Sequence, residues 1–133
     1  MAAIPFMSAD HAREGRLLDD LAQALEGPRG DRPLAPAIER LSLLAVHTRD
    51  HFLREEALMR ETGFPGYARH KEEHDRVLSE MDAEVRRFRR DGDAERLSRY
   101  LFQTLPAWFA NHLRTHDEAT ARFAARAAER RAP

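Results

Sequence analysis

Five histidines and two carboxylates lie on four segments that read as helices, several of them at metal-ligand spacing: His11, His51 with Glu55, His70 with His74, and His112 with Asp117. Imidazole with carboxylate, and no thiolate anywhere in the chain, is the ligand chemistry of a non-haem iron site. Seven such groups are too many for one ion and suit two. His70 and His74 are one helical turn apart and share a face, as do His51 and Glu55. His112 and Asp117 are five residues apart. An ideal helix would point them about 140° from each other. Either the helix carries a π-type turn there, or Asp117 is not a ligand and His116, one turn from His112, is the better partner.

A lone histidine on an apolar stripe is ordinarily a satisfied core residue. Here all four segments carry one, and two also offer a carboxylate. Burying unpaired imidazole and carboxylate is costly, and metal coordination compensates all of them together. Five histidines exceed the need of a single tetrahedral zinc. The chain has no Glu-x-x-His, which speaks against the ferritin-like carboxylate pattern, and no His-Glu-x-x-His of a zincin protease.

The elements that must position these groups are punctuated by three turn clusters, Gly27-Pro28-Arg29-Gly30, Gly63-Phe64-Pro65-Gly66 and Asp91-Gly92-Asp93. The first helix is expected from about Ser8, as N-cap, to Glu26, with His11, Leu18, Leu21 and Leu25 on one face. The second spans Leu34 to Thr62, with Leu44, Thr48, His51, Glu55, Leu58 and Thr62 inward. The third spans Tyr67 to Arg90, with His70, His74, Val77, Met81, Val85 and Phe88 inward. The fourth starts after Asp93, its N-cap, with Leu97, Leu101, Leu105, Trp108, His112 and Phe123 along its apolar face. Pro106 should bend it. Short connections make neighbours antiparallel, so the expected fold is an all-α, up-down-up-down four-helix bundle.

The composition narrows the function. At 133 residues the chain has room for one core and one domain, 1–133. The formal charge of -1 offers no basic field for nucleic acid or an anionic membrane. The absence of cysteine removes disulfides, iron–sulfur clusters and thiolate chemistry. Met1 to Met7 lacks the pattern of a signal peptide, and no apolar stretch reaches the ~20 residues of a membrane span, so a cytoplasmic protein is the expectation. The arginines at 122, 126, 130 and 131 read as a solvated face.

Four motifs carry a resemblance to a known family: Asp10-His11; His51-Phe52-Leu53-Arg54-Glu55-Glu56-Ala57-Leu58-Met59; Phe64-Pro65 followed by His70-x-x-x-His74; and Trp108-Phe109-x-x-His112-x-x-x-x-Asp117. In this order and over nearly the whole chain, the sequence resembles the single-domain, bacteriohemerythrin type of the hemerythrin family. The resemblance implies a hemerythrin-like bundle holding two iron ions (Fe2+/Fe3+) with an oxo or hydroxo bridge. His70, His74 and His112 would hold one iron, His11 and His51 the other, with Glu55 and Asp117 bridging. It thereby favours Asp117 over His116. It also implies one open coordination position, on the two-histidine iron, where dioxygen binds reversibly for storage, transport or sensing. A sensor would need a separate protein partner. The rival function is a di-iron enzyme, an oxidase, peroxidase or nitric-oxide-handling protein using the same position. No second carboxylate pair supports it, so the expectation is a binding protein.

Such a position calls for a dry pocket, and Trp108, Phe109, Phe52 and Leu58 are the residues expected to wall it. Phe109 is bulkier than the aliphatic residue expected there and should narrow ligand access. His47 and His116 are read as surface or neighbouring polar residues, or as partners that orient a ligand. Monomer and homo-oligomer both stay open, with Val46 and Leu53 as outward apolar residues.

Overall fold

The computed structural model describes residues 5–26 and 34–131. The expected turn at Gly27-Pro28-Arg29-Gly30 and the first four residues lie outside that range. Four helices run antiparallel, as the spacing of apolar residues predicts. Helix α1 spans Pro5–Ala24, α2 Leu34–Thr62 and α3 Tyr67–Asp91. Helix α4 covers 94–131 and is interrupted by two π-helical turns, Tyr100–Thr104 and Leu113–Asp117. Among the described residues there is no strand, and no helix is long and apolar enough to cross a membrane.

The boundaries follow local chemistry. Gly92 ends α3 in the left-handed region at φ 65°, where its N–H reaches the Phe88 carbonyl. Asp93 caps α4, its side chain accepting from the Arg96 N–H. Helix α1 starts three residues before Ser8, so Ser8 lies inside the first turn and is not the cap. The first π turn ends two residues before Pro106. The Leu105 N–H bonds back to the Tyr100 carbonyl, so the strain around a mid-helix proline is absorbed by a widened turn.

The core begins as a leucine layer at one end of the bundle. Leu17 and Leu21 of α1, with Leu25 just past its end, meet Ala37, Leu41 and Leu44 of α2, Met81 and Phe88 of α3, and Leu97 and Leu101 of α4. Further along, α2 does not follow the expected stripe to its end. Leu58 and Thr62 are only half-buried, while Phe52 and Met59 are fully enclosed. In the last segment of α4 the inward positions are Thr120, Ala121, Ala124 and Ala127, and Phe123 sits at the margin against Phe64. The four late arginines are exposed, and Arg131 donates to the Glu61 carbonyl. The buried polar groups lie between the leucine layer and this alanine-rich end.

Candidate metal centre

Each helix delivers its donors at the same height. Helix α3 contributes His70 and His74, one turn apart, and α4 contributes His112. Their Nε2 atoms converge: His112 Nε2 lies 3.0 Å from that of His70 and 3.2 Å from that of His74. Three lone-pair nitrogens pointing at one another cannot satisfy themselves with hydrogen bonds. Asp117 Oδ1 joins them, 2.9 Å from His112 Nε2 and 3.2 Å from His70 Nε2. Its other oxygen, Oδ2, faces His11 Nε2 at 3.5 Å. Glu55 Oε1 lies 3.0 Å from His51 Nε2 and 3.4 Å from His74 Nε2, with Oε2 3.7 Å from His70 Nε2. Two donor groups result, Glu55 with His70, His74, His112 and Asp117, and His11 with His51 and Asp117. Asp117 belongs to both, and Glu55 reaches across by its approach to His51.

The π turn at Leu113–Asp117 makes this possible. It spreads five residues over about one turn, so His112 and Asp117 share a face despite their i, i+5 spacing. His116 is half-buried with its ring 5.2 Å from those of His70 and His112, and it is not a member of either donor group. His47 is buried but turned away from the donors, its Nε2 donating to the Asp10 backbone carbonyl at 2.9 Å.

The electrostatics describe a site built for cations. Both oxygens of Glu55 and Oδ1 of Asp117 are buried without a hydrogen-bond partner among the described residues. Burial raises the Glu55 pKa well above its usual value, and the facing Asp117 raises it further. Burial also pulls Asp117 upward, but the close approach of Glu55, His11, His112 and His70 outweighs it and holds that carboxyl well below the usual range. One proton is therefore favoured on Glu55, and a cation would replace it. Burial drives the His74 pKa down to about 2, helped by the neighbouring His70 and His112, so its ring stays neutral with a lone pair to give. His51 and His70 are lowered too, chiefly by burial. Orphaned carboxylates beside neutral imidazoles, with no thiolate, fit two metal ions of the iron class.

A ring of supporting groups escaped the sequence reading. His51 Nδ1 donates to Asp10 Oδ2 at 2.9 Å, and Arg54 donates to the same oxygen through Nε at 2.9 Å and a guanidinium NH2 at 2.7 Å. His74 Nδ1 donates to Glu56 Oε2 at 2.9 Å, and His70 Nδ1 lies 3.0 Å from Thr120 Oγ1. The available signal was polar residues at buried helical positions, Glu56 and Thr120 among them. Glu14 is another, buried on α1 with Thr48 Oγ1 donating to it at 3.0 Å.

The expected pocket residues divide. Phe52 stacks flat on His74 with ring centroids 3.8 Å apart, and Trp108 stacks on His112 at 4.4 Å while its indole N–H donates to Glu73. Both back the three-histidine group. Phe109 instead lines a cleft of about 270 Å³ between α1 and α4, whose wall includes His11, Glu14, Leu18, Pro106 and Leu113. Leu58 does not line it.

The chain is 38% identical to a bacteriohemerythrin of Ralstonia nicotianae over 109 residues, which is 82% of this chain and 72% of that protein. It is 31% identical to a bacteriohemerythrin of Aquifex aeolicus over 116 residues, 87% of this chain and 86% of that one. No solved structure gives a significant match. The model of the hemerythrin HHE cation binding domain matches residues 2–124. That span contains both donor groups, and the chain belongs to the hemerythrin family.

Proposed function

We propose that this chain binds dioxygen reversibly at a di-iron centre, for oxygen storage, delivery or sensing. The observation that carries the reading is the pair of donor groups joined by two shared carboxylates. His70, His74 and His112 would hold one iron, His11 and His51 the other, with Glu55 and Asp117 bridging. Two irons held there would lend a pair of electrons to dioxygen and take them back on release.

The chain's own residues supply the rest. The two-histidine half has one nitrogen donor fewer, and it is the half that His11 shares with the cleft. Leu18, Pro106, Phe109 and Leu113 give that cleft an apolar wall, which favours a small uncharged ligand over water and ions. Phe52 and Trp108 close the three-histidine half against exchange with solvent. No side chain has to act as acid or base in reversible binding. Glu14, a buried carboxyl in the cleft wall, is the observation that favours the second reading, a di-iron enzyme that protonates its ligand.

The test is anaerobic reconstitution with ferrous iron, then admission of oxygen while the visible spectrum is recorded. A coloured adduct that disappears under argon and returns with oxygen is the expected result. Irreversible oxidation with turnover of peroxide or nitric oxide would select the enzyme. Absence of colour, with tight zinc binding, would refute both.

A further inference from the structure

The two halves of the centre are anchored differently. Glu55, His70, His74, His112 and Asp117 come from α2, α3 and α4. Only the two-histidine half depends on α1, through His11. Beyond Gly15, α1 is secured by Leu17 and Leu21, with Leu25 just past its end, in the leucine layer. At the height of the site it meets α2 through a polar seam, in which Asp10 and Glu14, one turn apart, face His47, Thr48, His51 and Arg54. Gly15 lies between these two stretches and weakens the helix there by about 1 kcal/mol relative to alanine. Glu14 also lines the open cleft, with His11, Gly15 and Leu18 of the same helix.

Asp10 is the hub of the seam. Its carbonyl accepts from His47, its carboxylate accepts from His51 Nδ1, and Arg54 holds that carboxylate with two bonds. The next residue is His11. One residue thus sets the place of both histidines of this half. The bond to His51 Nδ1 also fixes the ring tautomer and turns Nε2 toward the donor group. The supports of the other half, Glu56 on His74 and Thr120 near His70, do not involve α1.

Resting on the di-iron reading, we propose that Asp10 and Arg54 are positioning residues that govern occupancy of the two-histidine half separately from the three-histidine half. The centre then fills in two steps. The first iron enters the half built from α2, α3 and α4. The second is held only when the Asp10–Arg54 latch docks the upper part of α1.

Calorimetric titration of the metal-free chain with ferrous iron under argon tests this, with stoichiometry and affinity as readouts and no activity involved. The wild-type chain should take up two irons in resolvable steps. Asp10→Asn and Arg54→Gln should each weaken the second step about 10- to 100-fold, the usual effect of removing an outer partner of a ligand, with the first step within about threefold. Arg54→Lys should recover part of the loss. Glu56→Gln should do the reverse and weaken the first step. Equal weakening of both steps in the Asp10 and Arg54 variants would mean a merely structural role and overturn the proposal, as would no weakening at all. A wild-type chain that takes up one iron would overturn the di-iron reading itself, a result distinct from either.

Discussion

Glu14 carries a titration that can be measured without any metal. It is buried against Thr48, and burial pushes its pKa up to about 7. The hydroxyl bond and the nearby His11 pull the other way but do not win. The folded state therefore favours the protonated acid. Its contribution to stability is complete below about pH 4.5 and is lost as the pH rises through about 7, because the folded chain must then either ionise a buried group or hold on to its proton. Glu14→Gln removes this liability. At pH 8 the metal-free variant should melt about 10 °C above the wild type, corresponding to an effect on the order of 3 kcal/mol, and at pH 5 the two should nearly coincide. An equal shift at both pH values would show that packing, not charge, sets the difference. The donors were legible in the sequence because imidazoles and carboxylates interrupted apolar stripes at turn spacing. Glu14 was not, since one acidic residue in a helix as polar as α1 looks like surface until burial is known. The same holds for Asp10, which was quoted with His11 while its bonds to His51 and Arg54 depend on a helix 41 and 44 residues away.

At the scale of the element, α4 shows how a helix can carry a ligand pair at the wrong spacing. The i, i+5 separation of His112 and Asp117 posed the choice between a π turn and a different ligand, and the structure contains the π turn. The other π turn, at Tyr100–Thr104, was foreshadowed only as a bend at Pro106, because a proline tells where a helix is disturbed and not how it recovers. A π turn amounts to one extra residue in an α-helix, so the segments on either side keep the phase they would have without it. Thr115 is exposed within that turn, its hydroxyl donating to the Asn111 carbonyl. Deleting Thr115 should convert the turn to α-helix, bring the histidine and aspartate to i, i+4, and leave Thr120, Ala121, Ala124 and Ala127 facing inward. Helicity by circular dichroism should stay at the wild-type level and iron binding should persist. Deleting Ala119, just outside the turn, rotates those inward residues by about 100° and should lower the melting temperature by about 10 °C or more. If both deletions do equal damage, the extra-residue account of the turn is wrong.

The whole molecule sets a leucine layer beside a polar layer, and the two have opposite effects on the metal-free fold. Leu21, Leu44 and Leu101 are completely buried and belong to the layer that apolar spacing revealed at once. Glu55, His70 and His74 are buried just as completely, and oxygens of Glu55 and Asp117 lie among the donor imidazoles without a hydrogen-bond partner among the described residues. That arrangement is unfavourable by itself, since each desolvated carboxylate oxygen loses water and gains no hydrogen bond. A cation that binds the folded chain and not the unfolded one reverses the balance by mass action, by about 4 kcal/mol when it is present at a thousand times its dissociation constant. Two ions in shared carboxylates should add more. Stripping the reconstituted protein with a chelator should therefore lower its melting temperature by about 10–20 °C while preserving helical content, because the leucine layer still holds the bundle together. Replacing Glu55 and Asp117 together by Gln and Asn removes the buried ionisable carboxyls along with the ligands. That double variant should melt above the stripped wild-type protein and no longer respond to iron. A stripped wild-type protein as stable as the loaded one would mean that the buried carboxylates are satisfied without metal, and the di-iron reading would lose its physical basis.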